Sequence, residues 1–513
     1  MQSSRAVDWI RPERWVWLAV ALVTGLGAFG VSLGLAELST KRAVLLTASL
    51  LAFVSALVSG RAKQIFLFAW VVALTYNRNY FFTAFDADSS YGPFWGPADI
   101  PLLLLMVHWW VQAAIWKQPS VRRGGAMWMW IAPFAAACVL SLPGALRPDW
   151  TFYELARVAR FLLILFYFRR QVGRAEWMTI LAAFGTSVLI QAVMGIVYVA
   201  TGKQLGLALL FGSGVDERDM IQMAAEGGLG QMRRGSGTIG HPNTLAVYFM
   251  MLSPMFMALS VSKIAARWRV MSAVVALIAT AGTGVTMSRT SWLIHSAQWV
   301  VMGLGLTAFK MITPRQLLGG AAILALVAVI AITPFLGKIQ ERLTGDFGDM
   351  LDFRAKHNGI ALEIWQRSPF FGVGLNNYSD ILARYPEDEL AIFREFKDYF
   401  RKMLDVRITA WVHNFYLLML AETGLVGLTS FLLFIGGVTI KGLRAVARTG
   451  GAWRGVSFGL LIGTFGLHLH GLQESALWID PVTYHFAVVA GLINVLPDLA
   501  AESPQPVPEG EQA

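Results

Sequence analysis

Runs of about twenty apolar residues recur along this chain, and an α-helix needs about that length to cross the hydrocarbon core of a bilayer. Trp15–Glu37, Ile100–Trp116, Trp177–Ala200 and Gln316–Leu336 are examples. A soluble core could not hold so many of them. The composition agrees: 14% of the 513 residues are charged and 56% are hydrophobic, where a soluble chain would carry about a quarter charged residues. The expected fold is therefore an all-α polytopic membrane protein with about 12–14 transmembrane helices.

The spans fall at 15–37, 42–59, 64–76, 97–117, 126–146, 152–171, 177–200, 241–260, 268–286, 290–309, 316–336, 412–440, 455–472 and 481–497. Segment 64–76 is short for a full crossing. The first run follows Arg5, Arg11 and Arg14 but is longer than the core of a cleaved signal, so it reads as an uncleaved anchor. The lone cysteine, Cys138, rules out an intrachain disulfide.

Charge sets the expected orientation. With residues 1–14 in the cytoplasm and sides alternating, the short inward segments carry Arg61, Lys63, Lys117, Arg122, Arg123, Arg169, Arg170, Arg174, Lys263, Lys310, Arg315, Lys441 and Arg454, among others. This is the positive-inside bias, and it accounts for the net charge of +10 without a nucleic-acid partner. Both termini come out cytoplasmic. The transmembrane region then runs over 15–336 with an outward loop at 201–240. A large outward subdomain follows at 337–411, then C-terminal spans over 412–497 and a disordered cytoplasmic tail at 498–513. Within 337–411, Asp352–Gln366 reads as a helix, 368–374 as a turn and Tyr378–Leu404 as further helix.

Charged groups inside or beside spans are costly and suggest function. The orientation puts several on the outward face. Arg233 and Arg234 precede a Gly-rich stretch ending in His241-Pro242-Asn243, and a helix start preceded by arginines suits an anion. Ser288-Arg289-Thr290 joins two spans with almost no loop. His413-Asn414 opens the span after the large loop, with Glu422 and Gly424 further along it. Glu154, Arg157 and Arg160 share one helix face, as an internal ion pair or as a donor-anion site. His468, His470, Gln473 and Glu474 close another span at this face. The chain shows no P-loop, HExxH, GxSxG or DxD-like pair. Charges gathered at one face, rather than at the bilayer midplane, argue against a secondary transporter or flippase.

Arg234-x-x-Gly-Thr-x-x-His241-Pro-Asn243, then Ser288-Arg289, Arg354, Ser368-Pro369-x-x-Gly372-x-Gly374, His413-Asn414 and Glu422-x-Gly424 resemble the ordered signature of the bacterial O-antigen ligase/polymerase family. The resemblance covers roughly residues 150–495. It implies a GT-C-like, metal-independent, inverting glycosyltransferase without a cofactor, at the periplasmic face of the bacterial inner membrane. The donor would be an undecaprenyl-diphosphate-linked oligosaccharide, and the acceptor a glycan or lipid A-core. A chain-length regulator and a flippase would be its partners beside membrane lipids. By the same resemblance, Arg234 and Arg289 would bind the diphosphate and His413 would position or deprotonate the acceptor hydroxyl. Arg157, Arg160, His241, Asn243, Arg354, Asn414 and Glu422 would line the substrate site. Thr290 departs from the glycine that the family often has after this arginine. The long charged loop points to a polysaccharide polymerase, with ligase as the alternative.

Overall fold

A computed structural model describes residues 60–77, 80–81, 94–115, 117, 123–125, 127–202, 234–322, 337, 340, 348–379, 381 and 412–502. The expected spans at 15–37 and 42–59, most of the 201–240 loop, the expected helix at 378–404 and the tail lie largely or wholly outside these residues. The fold is all-α. Its helices are α1 (Ala62–Ala73), α2 (Asp99–Trp110), α3 (Trp128–Leu140), α4 (Pro148–Gln171), α5 (Arg174–Thr201) and α6 (Pro242–Ser260). They continue with α7 (Ala266–Val285), α8 (Arg289–Ala308), α9 (Gly348–Arg367), α10 (Phe415–Arg448), α11 (Gly451–His470) and α12 (Asp480–Ala501). One feature departs from the purely helical reading: Tyr80–Phe81 (β1) pairs antiparallel with Phe94–Trp95 (β2) in the aromatic-rich segment after α1.

Five of the described helices, α5, α6, α7, α10 and α12, are long and apolar enough to cross a membrane. Their outer faces carry large exposed apolar side chains, among them Val270, Met271, Leu432 and Leu433, and Leu293 and Leu304 do the same on α8. Such faces suit lipid rather than water.

Helix α6 is the axis of the bundle, with nearly every residue buried. It packs against α7 and, most closely, against α11. Gly455, Gly459 and Gly463 repeat every four residues along α11 and so form one small-residue stripe. A Cβ at Gly459 would lie 2.6 Å from the Pro254 carbonyl oxygen, and one at Gly463 would clash with the Met251 carbonyl. Gly459→Val is therefore expected to destabilise the protein by about 1–3 kcal/mol or more through overpacking. A melting curve in detergent checks this, and an unchanged midpoint would rule out so close a seam.

The two ends of the bundle differ in charge, as alternation along the chain requires. At one end Lys63 pairs with Glu176 at 3.0 Å, and Arg123 bridges to Glu502 at 2.8 Å and donates to the Val172 carbonyl. Arg454 lies over Phe309 there. The opposite end holds the α6, α8 and α10 N-termini and the turn between α11 and α12.

At that opposite end α10 is not one continuous helix. Gly424 takes φ 66° and ψ −169°, a conformation open essentially to glycine alone, and the helix breaks there. The turn after α9 fills the break. Val373 and Gly374 N–H donate to the Ala421 and Glu422 carbonyls at 3.1 and 3.0 Å. Leu425 and Val426 N–H donate to the Pro369 and Phe370 carbonyls at 2.8 and 3.1 Å. The buried Glu422 carboxylate accepts the Asn376 and Tyr378 N–H groups at 2.9 and 3.1 Å. Backbone groups that a broken helix would leave orphaned are thus satisfied by another segment, and α9 is fastened to the bundle.

Candidate functional site

The segment before α6 is held rigidly before it presents any charge. Gly237 and Gly240 have φ of 58° and 97° and let the chain fold tightly. Gln191 of α5 grips the turn with both ends of its amide. Its Nε2 donates to Thr238 Oγ1 at 2.6 Å and Thr75 Oγ1 at 3.0 Å, and its Oε1 accepts Thr238 N–H at 2.8 Å. Thr238 Oγ1 donates onward to the Thr75 carbonyl at 2.9 Å. Sequence reasoning missed Gln191. A polar amide within the apolar run 177–200 was the available signal.

From this turn a chain of hydrogen bonds crosses the bundle end. Arg234 donates through Nε to the Thr286 carbonyl at 2.9 Å and through Nη2 to Asn243 Oδ1 at 2.7 Å. Two of its five N–H groups thereby fix the plane of the guanidinium. Asn243 Nδ2 donates to Glu474 Oε2 at 2.8 Å. The other carboxylate oxygen, Oε1, lies 3.1 Å from His413 Nδ1. A carboxylate only accepts, so it selects the tautomer with the proton on Nδ1 and leaves Nε2 as the basic atom. Both side chains of this pair are about nine-tenths buried, at 11% and 12% exposure. The α11–α12 turn is tied to the start of α10 as well, with Phe415 N–H donating to the Gly471 carbonyl at 2.9 Å.

Burial by itself would raise the Glu474 carboxyl. The charge and hydrogen bond of His413, with the charges of His241 and Arg354, outweigh it and hold Glu474 well below the usual carboxylate range. His357 of α9 behaves in the opposite way. Burial, with the charge of His413, pushes its imidazole down to about 3, so it stays a neutral ring.

Arg289 is the first residue of α8, three residues after the Thr286 carbonyl that Arg234 grips. The neighbouring Thr290 hydroxyl donates to Gln473 Oε1 at 2.6 Å, which ties this turn to the one carrying Glu474. The threonine that departs from the family pattern therefore has a job here. Arg354 is half-buried on α9, and its charge acts on Glu474. It makes no hydrogen bond or ion pair among the described residues. His241 is the N-cap residue of α6 and also acts on Glu474 through its charge.

The structure thus joins Arg234, Asn243 and His413 through Glu474, with His241 and Arg354 acting on that carboxylate by charge and Arg289 starting the helix whose Thr290 is tied to the same turn. The other candidates sit elsewhere. Asn414 caps α10, its Oδ1 accepting Tyr416 and Leu417 N–H at 3.0 and 3.2 Å. Glu422 is committed to the α10 break. Arg157 pairs with Glu154 at 2.6 Å and Asp480 at 2.5 Å, and Arg160 with Asp99 at 2.9 Å. These are two arginines already matched by three carboxylates. Next to them a small apolar cavity of about 70 Å³ is lined by Phe134, Phe161, Phe415, Phe431, Phe434 and Phe486, with Glu154 and Arg157 in its wall. Among the described residues no cluster of three or more His, Cys, Asp or Glu could hold a metal ion.

Residues 273–432 of the chain match the family described as O-antigen ligase. The match spans Arg289, Arg354, the 368–374 turn, His413 and the α10 break, and leaves Arg234, Asn243 and Glu474 outside it. No curated protein matches the chain.

Proposed function

We propose that this chain, which belongs to the O-antigen ligase/polymerase family by its residues 273–432, transfers glycan from an undecaprenyl-diphosphate-linked donor to a glycan hydroxyl. The reaction takes place at the periplasmic face of the bacterial inner membrane, with both termini in the cytoplasm. The hydrogen-bonded chain Arg234–Asn243–Glu474–His413 carries the reading, because it couples an anion-binding group to a base.

His413 Nε2 accepts the proton of the acceptor hydroxyl as that oxygen attacks the anomeric carbon from the side opposite the diphosphate. The bond from the anomeric carbon to the diphosphate oxygen breaks, and the configuration inverts. Negative charge then builds on the leaving diphosphate. Arg234 and Arg289, with Arg354 beyond them, supply charge-assisted donors where it develops. Guanidinium groups suit this task because their planar fork matches phosphate oxygens. No metal or cofactor enters any step.

Within the family, polymerase is the reading we adopt, because the long mixed-charge segment 337–411 offers room for a second glycan chain. Incubating the purified protein in liposomes with lipid-diphosphate repeat units alone tests it. Chain growth without added acceptor is expected. Product that forms only when lipid A-core is supplied would make the protein a ligase, and no product with either acceptor would refute transfer.

A further inference from the structure

The end of the bundle away from Glu474 holds cations in different settings. Several are matched: Lys63 pairs with Glu176, Arg123 with Glu502, and Arg454 Nε donates to the Thr449 carbonyl at 2.8 Å. Others, such as Arg269 and Arg315, stand exposed. Arg169, Lys441, Arg444 and Arg448 form a third group. Their side chains make no hydrogen bond or ion pair among the described residues, and Arg169 Nε is buried in that state. A buried donor without a partner is costly.

The fold drives these four together. Lys441, Arg444 and Arg448 follow one another at spacings of three and four along the end of α10, so they share a face of the helix. Arg169 lies in the last turn of α4. The charges of Arg444, Arg169 and Arg448 all act on Lys441, opposed by the carboxylate of Asp498, which already accepts the Gly124 N–H. The segment 123–125 closes the cluster and is held from two sides. Arg123 N–H donates to the Arg169 carbonyl at 2.9 Å, and Asn494 Nδ2 donates to the Gly125 carbonyl at 3.2 Å. Lys441 Nζ runs so close beneath this segment that a Cβ at Gly125 would lie 2.6 Å from it. The positive-inside bias explains why basic residues are at this end, but not why four of them converge without counter-charges.

Depth and surroundings say what supplies the missing anion. Beyond its break at Gly424, α10 runs on to Arg448, about 36 Å at ~1.5 Å per residue. That exceeds the hydrocarbon thickness of about 30 Å, so its last turns reach the headgroup layer. Large apolar side chains flank the charges and face outward: Trp128 and Met129 at the start of α3, and Ile440 and Leu443 on α10. Cations at headgroup depth beside an outward apolar surface suit a molecule with an anionic head and acyl chains.

We infer that Arg169, Lys441, Arg444 and Arg448 bind the phosphodiester headgroup of an anionic phospholipid, whose acyl chains lie against Trp128, Met129, Ile440 and Leu443. Four cations facing one carboxylate favour a headgroup with two phosphodiesters, as in cardiolipin, over the single one of phosphatidylglycerol. The lipid joins α4 to α10, whether or not the opposite end transfers glycan.

Native mass spectrometry of the full chain in detergent, titrated with cardiolipin or phosphatidylglycerol, tests this. Cardiolipin is expected to bind the more tightly. Lys441→Gln and Arg169→Gln should each weaken it by about fivefold, while Arg169→Lys, which keeps the charge, should retain most of the binding. Arg267→Gln removes a cation from α7 at the same end and should change nothing. Equal losses in Arg267→Gln, equal losses in Arg169→Lys and Arg169→Gln, or wild-type binding in Lys441→Gln would overturn the site. Equal affinity for the two lipids would overturn the assignment of two phosphodiesters. Displacement of cardiolipin by inorganic phosphate, but not by chloride at the same ionic strength, would make this a site for a soluble anion and overturn the lipid.

Discussion

Replacing His413 by Ala is expected to lower glycan transfer by about 10²–10⁴-fold, the usual contribution of a positioned general base, and Glu474→Ala is expected to cost nearly as much. Glu474 touches no substrate in this scheme. It fixes the imidazole through Oε1 and, through Oε2, the Asn243 amide that holds Arg234. Removing it frees the base to turn and loosens the anion-binding arm. Because the two residues act as a unit, the double variant should be little worse than His413→Ala alone. Glu474→Gln keeps the size but loses the charge that favours a protonated imidazole, so the acid limb of the rate–pH profile should move to lower pH. A wild-type rate and profile for Glu474→Ala would remove it from the mechanism. The effect on stability has a definite sign. The Glu474 pKa is depressed in the folded protein, so the stability it confers is present above the unfolded carboxyl value of about 4.3. That stability is lost only as pH falls through the lower folded value, so at neutral pH it is fully in place.

Gly424→Val is expected to produce the largest loss of stability in the described chain. The backbone conformation at Gly424 alone costs a residue with a side chain about 1–3 kcal/mol. Any Cβ there would also clash with the Phe370 carbonyl. The clash falls on the turn whose four backbone hydrogen bonds seal the α10 break, so the effect should reach α9 and Glu422. Gly436, on the same helix with open space around it, provides the control, and Gly436→Ala should melt as the wild type does. Thermal unfolding in detergent, with proteolysis of the α9–α10 junction as the local readout, distinguishes the two. Equal melting of both variants would show that the junction does not carry load.

Much of this was legible in residue order. Span length located most of the described helices within about five residues, although α10 runs eight residues beyond the expected end at 440, and motif order brought Arg234, Arg289 and His413 to one end. Pairing between distant segments was not legible. Arg157 and Arg160 read as a candidate anion site until Asp480 and Asp99, from α12 and α2, were seen to neutralise them. Glu422 looked available until Asn376 and Tyr378 N–H were found on its carboxylate. The α10 break was invisible because Gly424 alone does not break a helix. What fixes the break is the 368–374 turn inserted into it, and nothing local to α10 announces that turn.

The hydrogen-bonded chain also bears on how the protein is made. Asn243 emerges from the ribosome 231 residues before Glu474, and His413 emerges 61 residues before it. For that interval the arginine arm and the base arm are both synthesised, and the joint between them is not. A chain truncated before the last hairpin would place both arms in the membrane unconnected and would be inert towards lipid-linked glycan. Completion of the α11–α12 hairpin is the step that joins the two arms.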